Sequence, residues 1–543
     1  MGNCKNVGIL LILTFISTFI TLLIISSKDN ELDYHLKSNT TNQEIQEKNE
    51  EKEENKENKE NTENNNLNNN TNLNNSQNNN NNNTNENENK NIEQDTKEEQ
   101  NKKIPHPKQG IFENQTIDEI TEFKIGNGIN FRFGIISDTH IDPEHPLNEK
   151  CKENLINTLK SLKSQKIDVL IVAGDSIDSS TDESFEQFIE IYNSIFTNEL
   201  TNPLLILLMG NHDYYNKNGK LKKEDAQFRF EKYYLQKTLS HLKINNFHFI
   251  KWGSNDNEYI KSCNNYDWIN SKINKAILQD SKKPIFVITH LNAINTVHLS
   301  QYYGFEPIFN TLKKYYQIIH LSGHSHFSLI DERSIWQNEF TSIQTQSTSF
   351  IELDYNFENG SVPKDEFNNN ITAYNNPMGL IIDVSNDNIE VNRILFNENS
   401  FYGKKWEFKI PFLKENFMYE FNYRRQFFKP PFFNLSNSNF GKVNVRKFNN
   451  DNHGFFYVIY FKQALSDNNI YNYQVSFKKI SNNFNYYFNY FSDFYLSPSQ
   501  RRDIIGLRVN QIVPLGEYNV KIVAYDSFGK MSINYINDTI ILN

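Results

Sequence analysis

Cysteine is nearly absent from this chain: three residues in 543, at Cys4, Cys151 and Cys263. None forms a CxxC pair, which argues against thiolate zinc sites and dithiol redox chemistry. Cys4 precedes an apolar run, so a disulfide would have to join Cys151 to Cys263, and nothing in the sequence pairs them. Stability must come from cores. Positive charge is also in deficit, with 56 Lys and Arg against 66 Asp and Glu, a net charge of -10 and a pI near 5.8. Without a basic footprint, no nucleic-acid-binding surface is expected. An anionic small substrate would need a local source of positive charge. Long apolar runs are scarce too, and one stands out, Val7 to Ile25.

That run is about as long as a bilayer-spanning helix, roughly 20 residues, and long for the ~7–15-residue apolar core of a cleaved signal. Lys5 and the terminal amine precede it, while Asp29, Glu31 and Asp33 join Lys28 after it. The positive-inside bias then keeps residues 1–6 cytoplasmic, makes 7–27 a signal anchor, and places the remainder outside the cell or in a lumen. Cleavage near Ser26-Ser27 would give a secreted protein in the same compartment. Myristoylation at Gly2 is disfavoured because Asn6 stands where Ser or Thr is needed. Residues 28–110 are Asn, Glu and Lys with almost no branched or aromatic side chains, a composition that predicts a disordered linker. Asn-x-Ser/Thr sequons at Asn39, Asn69, Asn74, Asn82, Asn114, Asn359, Asn370, Asn434 and Asn537 suit lumenal exposure, although an Asn-rich chain produces many by chance.

Order is expected to begin near Phe131, within a catalytic domain assigned to 111–404 and followed by a second unit over 405–543. Phe131 to Ile136 reads as a strand ending in Ser137-Asp138-Thr139-His140. Asn148 to Lys163 carries Leu155, Ile156, Leu159 and Leu162 on one face, as an amphipathic helix does. Ile167 to Ala173 is a strand ending in Gly174-Asp175, Phe185 to Phe196 is helical, and Leu204 to Met209 is a strand ending in Gly210-Asn211-His212-Asp213. The excursion Tyr214 to Lys283 should hold helices around Ala226 to His241 and Tyr266 to Leu278. Ile285 to Thr289 then ends at His290, and Ile318 to Ser322 ends at Gly323-His324-Ser325-His326. Ser349 to Leu353 and Met378 to Val384 look like further strands. The alternation of strand and helix predicts an α/β fold with a largely parallel central sheet. Beyond Trp406 the pattern is all-β and aromatic-rich, with strands at 455–461, 471–477, 486–495, 504–513 and 517–525, as in an immunoglobulin or fibronectin type III sandwich.

Five strands therefore end in Asp, His or Asn. Ligands in open α/β sheets bind beyond the carboxyl ends of the strands, so these side chains should converge. The set is hard to intermediate in ligand character, and one pair of adjacent metal ions would use all of it. The series Asp138-x-His140, Gly174-Asp175, Gly210-Asn211-His212-Asp213, His290 and Gly323-His324-x-His326 resembles the calcineurin-like metallophosphoesterase family over roughly residues 131–400. The resemblance implies a four-layer αββα sandwich and two divalent metal ions, Mn, Fe or Zn. It implies a first metal on Asp138, His140, Asp175 and His326, and a second on Asp175, Asn211, His290 and His324. His212 would be the general acid. Two such metals about 3.5–4 Å apart polarise phosphoryl oxygens and lower the pKa of a bridging water, whose hydroxide attacks phosphorus. The leaving oxygen then needs a proton, and an imidazole titrates in the right range. Asp178 could orient His212, or serve only as an Asx turn or helix cap.

The departures from the family narrow the choice. Gly174-Asp175-Ser176-Ile177-Asp178-Ser179 lacks the Arg of the protein phosphatases, and Asp213 stands where they have Glu. Asp178 also occupies the place of the ligand Tyr in purple acid phosphatases. What is left is a phosphomonoesterase or phosphodiesterase acting on a phosphorylated small molecule, a nucleotide or a lipid headgroup. Domain order also resembles that of membrane-anchored members with an immunoglobulin-like domain after the catalytic one. A competing reading makes the chain a membrane-tethered adhesion or binding protein whose sandwich is the working part. His145, His241, His248, His320 and His453 are expected to be structural or surface residues, and His298 could belong to either class.

Overall fold

The computed structural model describes residues 106, 107 and 116–543, except for 127, 199–200, 254–265, 356, 361–363, 368–375, 437–440 and 451–453. The expected membrane segment, the linker and the sequons at Asn39, Asn69, Asn74, Asn82, Asn114 and Asn370 lie outside the described residues. Among the described residues no helix is long and apolar enough to cross a membrane.

Two central sheets are present, as the αββα resemblance implies, and both are mixed where the strand and helix alternation predicted one largely parallel sheet. In the six-stranded sheet Phe131–Ile136, Val169–Val172 and Leu204–Leu207 run parallel, and Met378–Val384, Asn388–Leu395 and Ser400–Lys409 extend it antiparallel on the other side. The seven-stranded sheet has the order Ile120–Phe123, Leu239–Ile244, Phe247–Trp252, Ile285–Ile288, Ile318–Ser322, Thr341–Gln344, Ile335–Gln337. Alternation decides which side chains meet. Phe133, Ile135, Val169 and Ile171 from one sheet share a core with Phe249, Phe286, Ile288 and Leu321 from the other. The ring of Phe133 stands edge-on to both Phe249 and Phe286, at 5.4 and 5.3 Å. The opposite face of the six-stranded sheet, with Ile136, Leu170, Val172 and Leu207, is covered by Leu155, Leu159, Phe185 and Phe188 of the helices Asn148–Ser164 and Asp182–Ile195. Ile250, Val287 and Ile318 on the far side of the other sheet meet Ile269 and Ile273 of the helix Tyr266–Gln279. The layers are helix, sheet, sheet, helix.

Two expected elements differ. The helix of the excursion covers Lys223–Tyr234 and stops because Leu235 takes a left-handed conformation, φ 53°; His241 lies in the following strand Leu239–Ile244. Residues 349–353 form no ladder. Their backbone groups bond the site loops instead, Ser349 N–H to the carbonyl of Asp138 and Glu352 N–H to that of His326.

The strand Ser400–Lys409 straddles the expected boundary at 404/405 and belongs wholly to the six-stranded sheet, with Trp406 and Phe408 in its core. Beyond it come a helix absent from the sequence reading, Phe421–Phe427, and two antiparallel sheets of three and four strands. In the strand Gly516–Asp526 every second residue from Tyr518 to Ala524 is buried. These residues pack with Tyr473, Val475 and Phe477 of the same sheet against Ile459, Phe461 and Leu507 of the other. Aromatic residues of this region also reach back, since Tyr471, Phe491, Phe494 and Tyr495 belong to the core between the two catalytic-domain sheets.

Candidate metal centre

The two sheets present the carboxyl ends of their parallel strands on the same side, and the loops leaving them bond to one another. Asp138 N–H donates to the carbonyl of Gly174, Thr139 N–H to that of Asp175, and Gly323 N–H to that of His290. Close approach is possible only where side chains are missing. A Cβ on Gly210 would lie 2.0 Å from Asp175 Oδ1, and one on Gly174, at φ 96°, would lie 2.3 Å from His290 Nδ1. The residues around these glycines are themselves strained. Asp138, His140, Asp175, His324 and His326 all have φ between 47° and 69°. Left-handed backbone costs an L residue about 1–2 kcal/mol, and such strain tends to gather at functional sites.

The structure brings the seven candidate ligands together. Nitrogen and oxygen atoms of Asp138, His140 and His326 form one group in which all lie within 4.8 Å of one another, and Asp175, His290 and His324 form a second. A third group of the same tightness, His140, Asp175 and His212, joins them. Asn211 falls beside the second group, its Oδ1 2.9 Å from His290 Nε2. Within the groups, His326 Nε2 lies 3.2 Å from both Asp138 Oδ1 and His140 Nε2, and His290 Nε2 lies 3.0 Å from Asp175 Oδ2.

Three of the imidazoles are oriented from their other nitrogen, whereas His326 Nδ1 is buried without a hydrogen-bond partner. His290 Nδ1 donates to the carbonyl of Ala173 at 2.9 Å, His140 Nδ1 to Asp178 Oδ1 at 2.8 Å, and His212 Nδ1 to the carbonyl of Asp178 at 2.7 Å. Each Nε2 is thereby turned into the shared space, as second-shell partners do in metal sites. Asp178 serves two histidines, because the same Oδ1 is 3.2 Å from His212 Nδ1. Two facts bear on whether this donor set fits metal ions. Asp138 Oδ1 is buried without a hydrogen-bond partner, and His140 Nε2 and His326 Nε2 face each other. Converging lone pairs of this kind fit divalent cations.

Burial opposes charge on Asp138 and Asp175, but the histidines around them, His326 and His290 respectively, hold both carboxyls well below the usual carboxylate range. Burial likewise opposes charge on Asp178, and hydrogen bonds from His140 and His212 overcome it. The same attraction acts on the bases. Against burial, Asp175 and Asp178 lift His212 to about 10, and Asp175 lifts His290 to about 9. His324 goes the other way, to about 3, through burial and the neighbouring His290. Asp213 is fully buried and rises to about 7 through burial and the charge of Asp175, while its Oδ2 accepts the Gly210 N–H at 2.8 Å.

Residues 131–328 match the family model of the calcineurin-like phosphoesterases. This segment is a calcineurin-like phosphoesterase domain. No curated protein matches the chain. Among solved structures, the chain is similar to a dimetal phosphatase from Danio rerio at 10% identity and a TM-score of 0.36, over 51% of this chain and 98% of that one. Purple acid phosphatase PPD1 from yellow lupin, Lupinus luteus, aligns at 13% identity and a TM-score of 0.36, over 52% of this chain and 54% of the lupin protein. Vps29 from Entamoeba histolytica, complexed with zinc, aligns at 9% identity and a TM-score of 0.23, over 51% of this chain and 98% of that one.

Several neighbours of the calcineurin-like centre were missed by the sequence reading. The ring of Phe350 lies 4.3 Å from that of His326, and Tyr303 stands edge-on to His324 at 5.8 Å. No motif marks either residue; Tyr303 ends the short helix Ser300–Tyr303, and Phe350 lies in the loop after the strand Thr341–Gln344. His320, expected to be structural, is buried between Thr289 Oγ1 at 2.8 Å and Ser342 Oγ at 3.0 Å. His298 reaches Asp354 Oδ2 at 2.8 Å and Tyr471 at 3.3 Å, which ties it to the C-terminal unit and not to the metal-ligand groups.

Proposed function

We propose that this protein is a hydrolase that uses two divalent metal ions to cleave a phosphomonoester or phosphodiester. The observation that carries this reading is the convergence of two carboxylate and imidazole groups that share the neighbourhood of Asp175. Asp138, His140, Asp175 and His326 would hold one ion, and Asp175, Asn211, His290 and His324 the other. Bound there, the ions supply the positive charge that the chain otherwise lacks, polarise the phosphoryl oxygens and lower the pKa of water. His212 stands at the edge of the groups, half-buried, with its Nδ1 held by Asp178, so that its Nε2 would serve the leaving oxygen. The hydrogen bond to Asp178 favours its protonated form, the state a general acid needs. Asp178 fixes the imidazole through one interaction and steadies His140 through the other, so proton donation and ligand orientation depend on one carboxylate.

Turnover of bis(p-nitrophenyl) phosphate by the Mn²⁺-loaded protein tests this. Asp175→Ala should abolish it. His212→Ala should cost about 10²–10⁴-fold with poor leaving groups, and less with p-nitrophenolate, which leaves without a proton. Wild-type protein that binds no metal and turns over neither a diester nor p-nitrophenyl phosphate would end the reading.

We further propose that Val7–Ile25 anchors the chain in a membrane with the phosphoesterase domain outside or in a lumen, and that the C-terminal sheets are an immunoglobulin- or fibronectin-type sandwich. The apolar run and its flanking charges support the first, and the shared core of a three-stranded and a four-stranded sheet supports the second. Extraction of the full chain from membranes by carbonate alone would overturn the anchor.

A further inference from the structure

Beside the metal-ligand groups lies a cluster of aromatic rings and carboxylates. Tyr303, edge-on to His324, donates its hydroxyl to Glu352 Oε2 at 2.7 Å and meets the hydroxyl of Tyr355. Tyr355 and Tyr302 are 47% and 45% exposed, and their rings stand 6.0 Å apart at 87°, two walls of a corner open to solvent. Phe350 continues the cluster toward the metal-ligand groups, 4.3 Å from the ring of His326 and 5.5 Å from that of His140. The Glu352 backbone bonds the carbonyl of His326, which sets its carboxylate beside the groups, and its charge acts on both His326 and Tyr303. Asp354 adds charge next to Tyr302, although it is also paired with His298 and faces Arg333, which Asp331 holds through two hydrogen bonds.

Such a cluster discriminates. A leaving group bearing further phosphates would set its anionic oxygens against Glu352. A quaternary ammonium offers no N–H to a carboxylate, and is recognised instead by aromatic faces with negative charge behind them. Tyr302 and Tyr355 supply the faces, and Glu352, bonded to Tyr303 and tied through its backbone to His326, supplies the charge.

Building on the phosphoesterase reading above, we propose that the substrate is a phosphoester carrying a quaternary ammonium group, which the Tyr302, Tyr355 and Glu352 corner binds while the phosphoryl group occupies the metal centre. The reaction is a hydrolysis. Water adds to phosphorus, the P–O bond to the leaving alcohol breaks, that alcohol takes the proton, and no redox partner is needed.

The test uses the full Mn²⁺-loaded chain with p-nitrophenylphosphorylcholine and bis(p-nitrophenyl) phosphate, and calorimetric titration with choline. The choline ester should be preferred. Tyr302→Ala, Tyr355→Ala and Glu352→Gln should each lower the ratio of its kcat/KM to that of the diester by about tenfold, and should weaken choline binding in step. Turnover of the diester without preference for the choline ester and without choline binding overturns the corner and leaves the phosphoesterase reading standing. Failure to turn over either ester overturns the phosphoesterase reading, and choline binding that is absent, or unchanged in the variants, overturns the corner by itself. Glycerophosphocholine and phosphatidylcholine micelles then separate a soluble source of the group from a lipid one; hydrolysis of either supports the proposal.

Discussion

The seven-stranded sheet holds histidines in two places, and they do different things. His320 sits mid-sheet, paired across the ladder with Val287, and each ring nitrogen meets a hydroxyl, Thr289 on one side and Ser342 on the other. Beyond the ends of the same two strands, His290 has one nitrogen on a backbone carbonyl and the other aimed at Asp175. Burial is near complete for both. What distinguishes a ligand from a structural histidine here is whether the second nitrogen is satisfied inside the ladder or left facing other unsatisfied groups.

The largest effect expected from breaking this contrast is at the sheet end. His290→Ala should lower metal content measured by atomic emission and reduce kcat by at least roughly a hundredfold; unchanged stoichiometry would remove His290 from the centre. Asp178→Ala comes next, because it frees His140 and His212 together. A 10- to 100-fold loss in metal affinity or activity is expected, accompanied by a change in the basic limb of the kcat pH profile. An effect confined to metal affinity would separate Asp178 from the proton donor. Mid-sheet, His320→Leu should cost about 1–3 kcal/mol of stability in urea titration while leaving metal stoichiometry as it was. Loss of metal there would erase the distinction.

The most gradual effect is on pH and concerns histidines away from the centre. Burial lowers both His320 and His241 to about 3. Below the ordinary value of about 6.5 the unfolded chain takes up protons that the folded chain refuses. Stability should therefore fall as pH drops from about 6.5 toward 3, by up to ~1.4 kcal/mol per pH unit for each histidine. The His320→Leu variant should show a shallower slope; equal slopes would mean that His320 is protonated in the folded state.

Much of the centre was legible because its chemistry and its backbone geometry coincide in sequence. Each motif pairs an apolar run with Asp, His or Asn, and three carry a glycine where the structure leaves no room for a Cβ, or forces a positive φ. Helix Tyr266–Gln279 was legible from periodicity alone. The helix end at Tyr234 was not, since its left-handed cap falls on Leu235 and carries no glycine to mark it. Residues 349–353 have the apolar alternation of a strand, yet their hydrogen bonds go to Asp138 and His326, a long-range choice that no local pattern records. Division into two sheets came from the family resemblance and not from periodicity, for the same reason. Periodicity reports that a strand is buried, not which sheet takes it.

The strand Ser400–Lys409 and the rings of Tyr471, Phe491, Phe494 and Tyr495 together make the two halves of the described chain hard to separate. Cut near residue 404, the catalytic half would lose Trp406 and Phe408 from its interior, and cut after residue 409 it would still bare the apolar surface those four rings cover. The C-terminal unit is thus no detachable cassette. A lineage that discarded it or traded it for another would have to repair the phosphoesterase core in the same step, so the two parts are expected to be inherited as one.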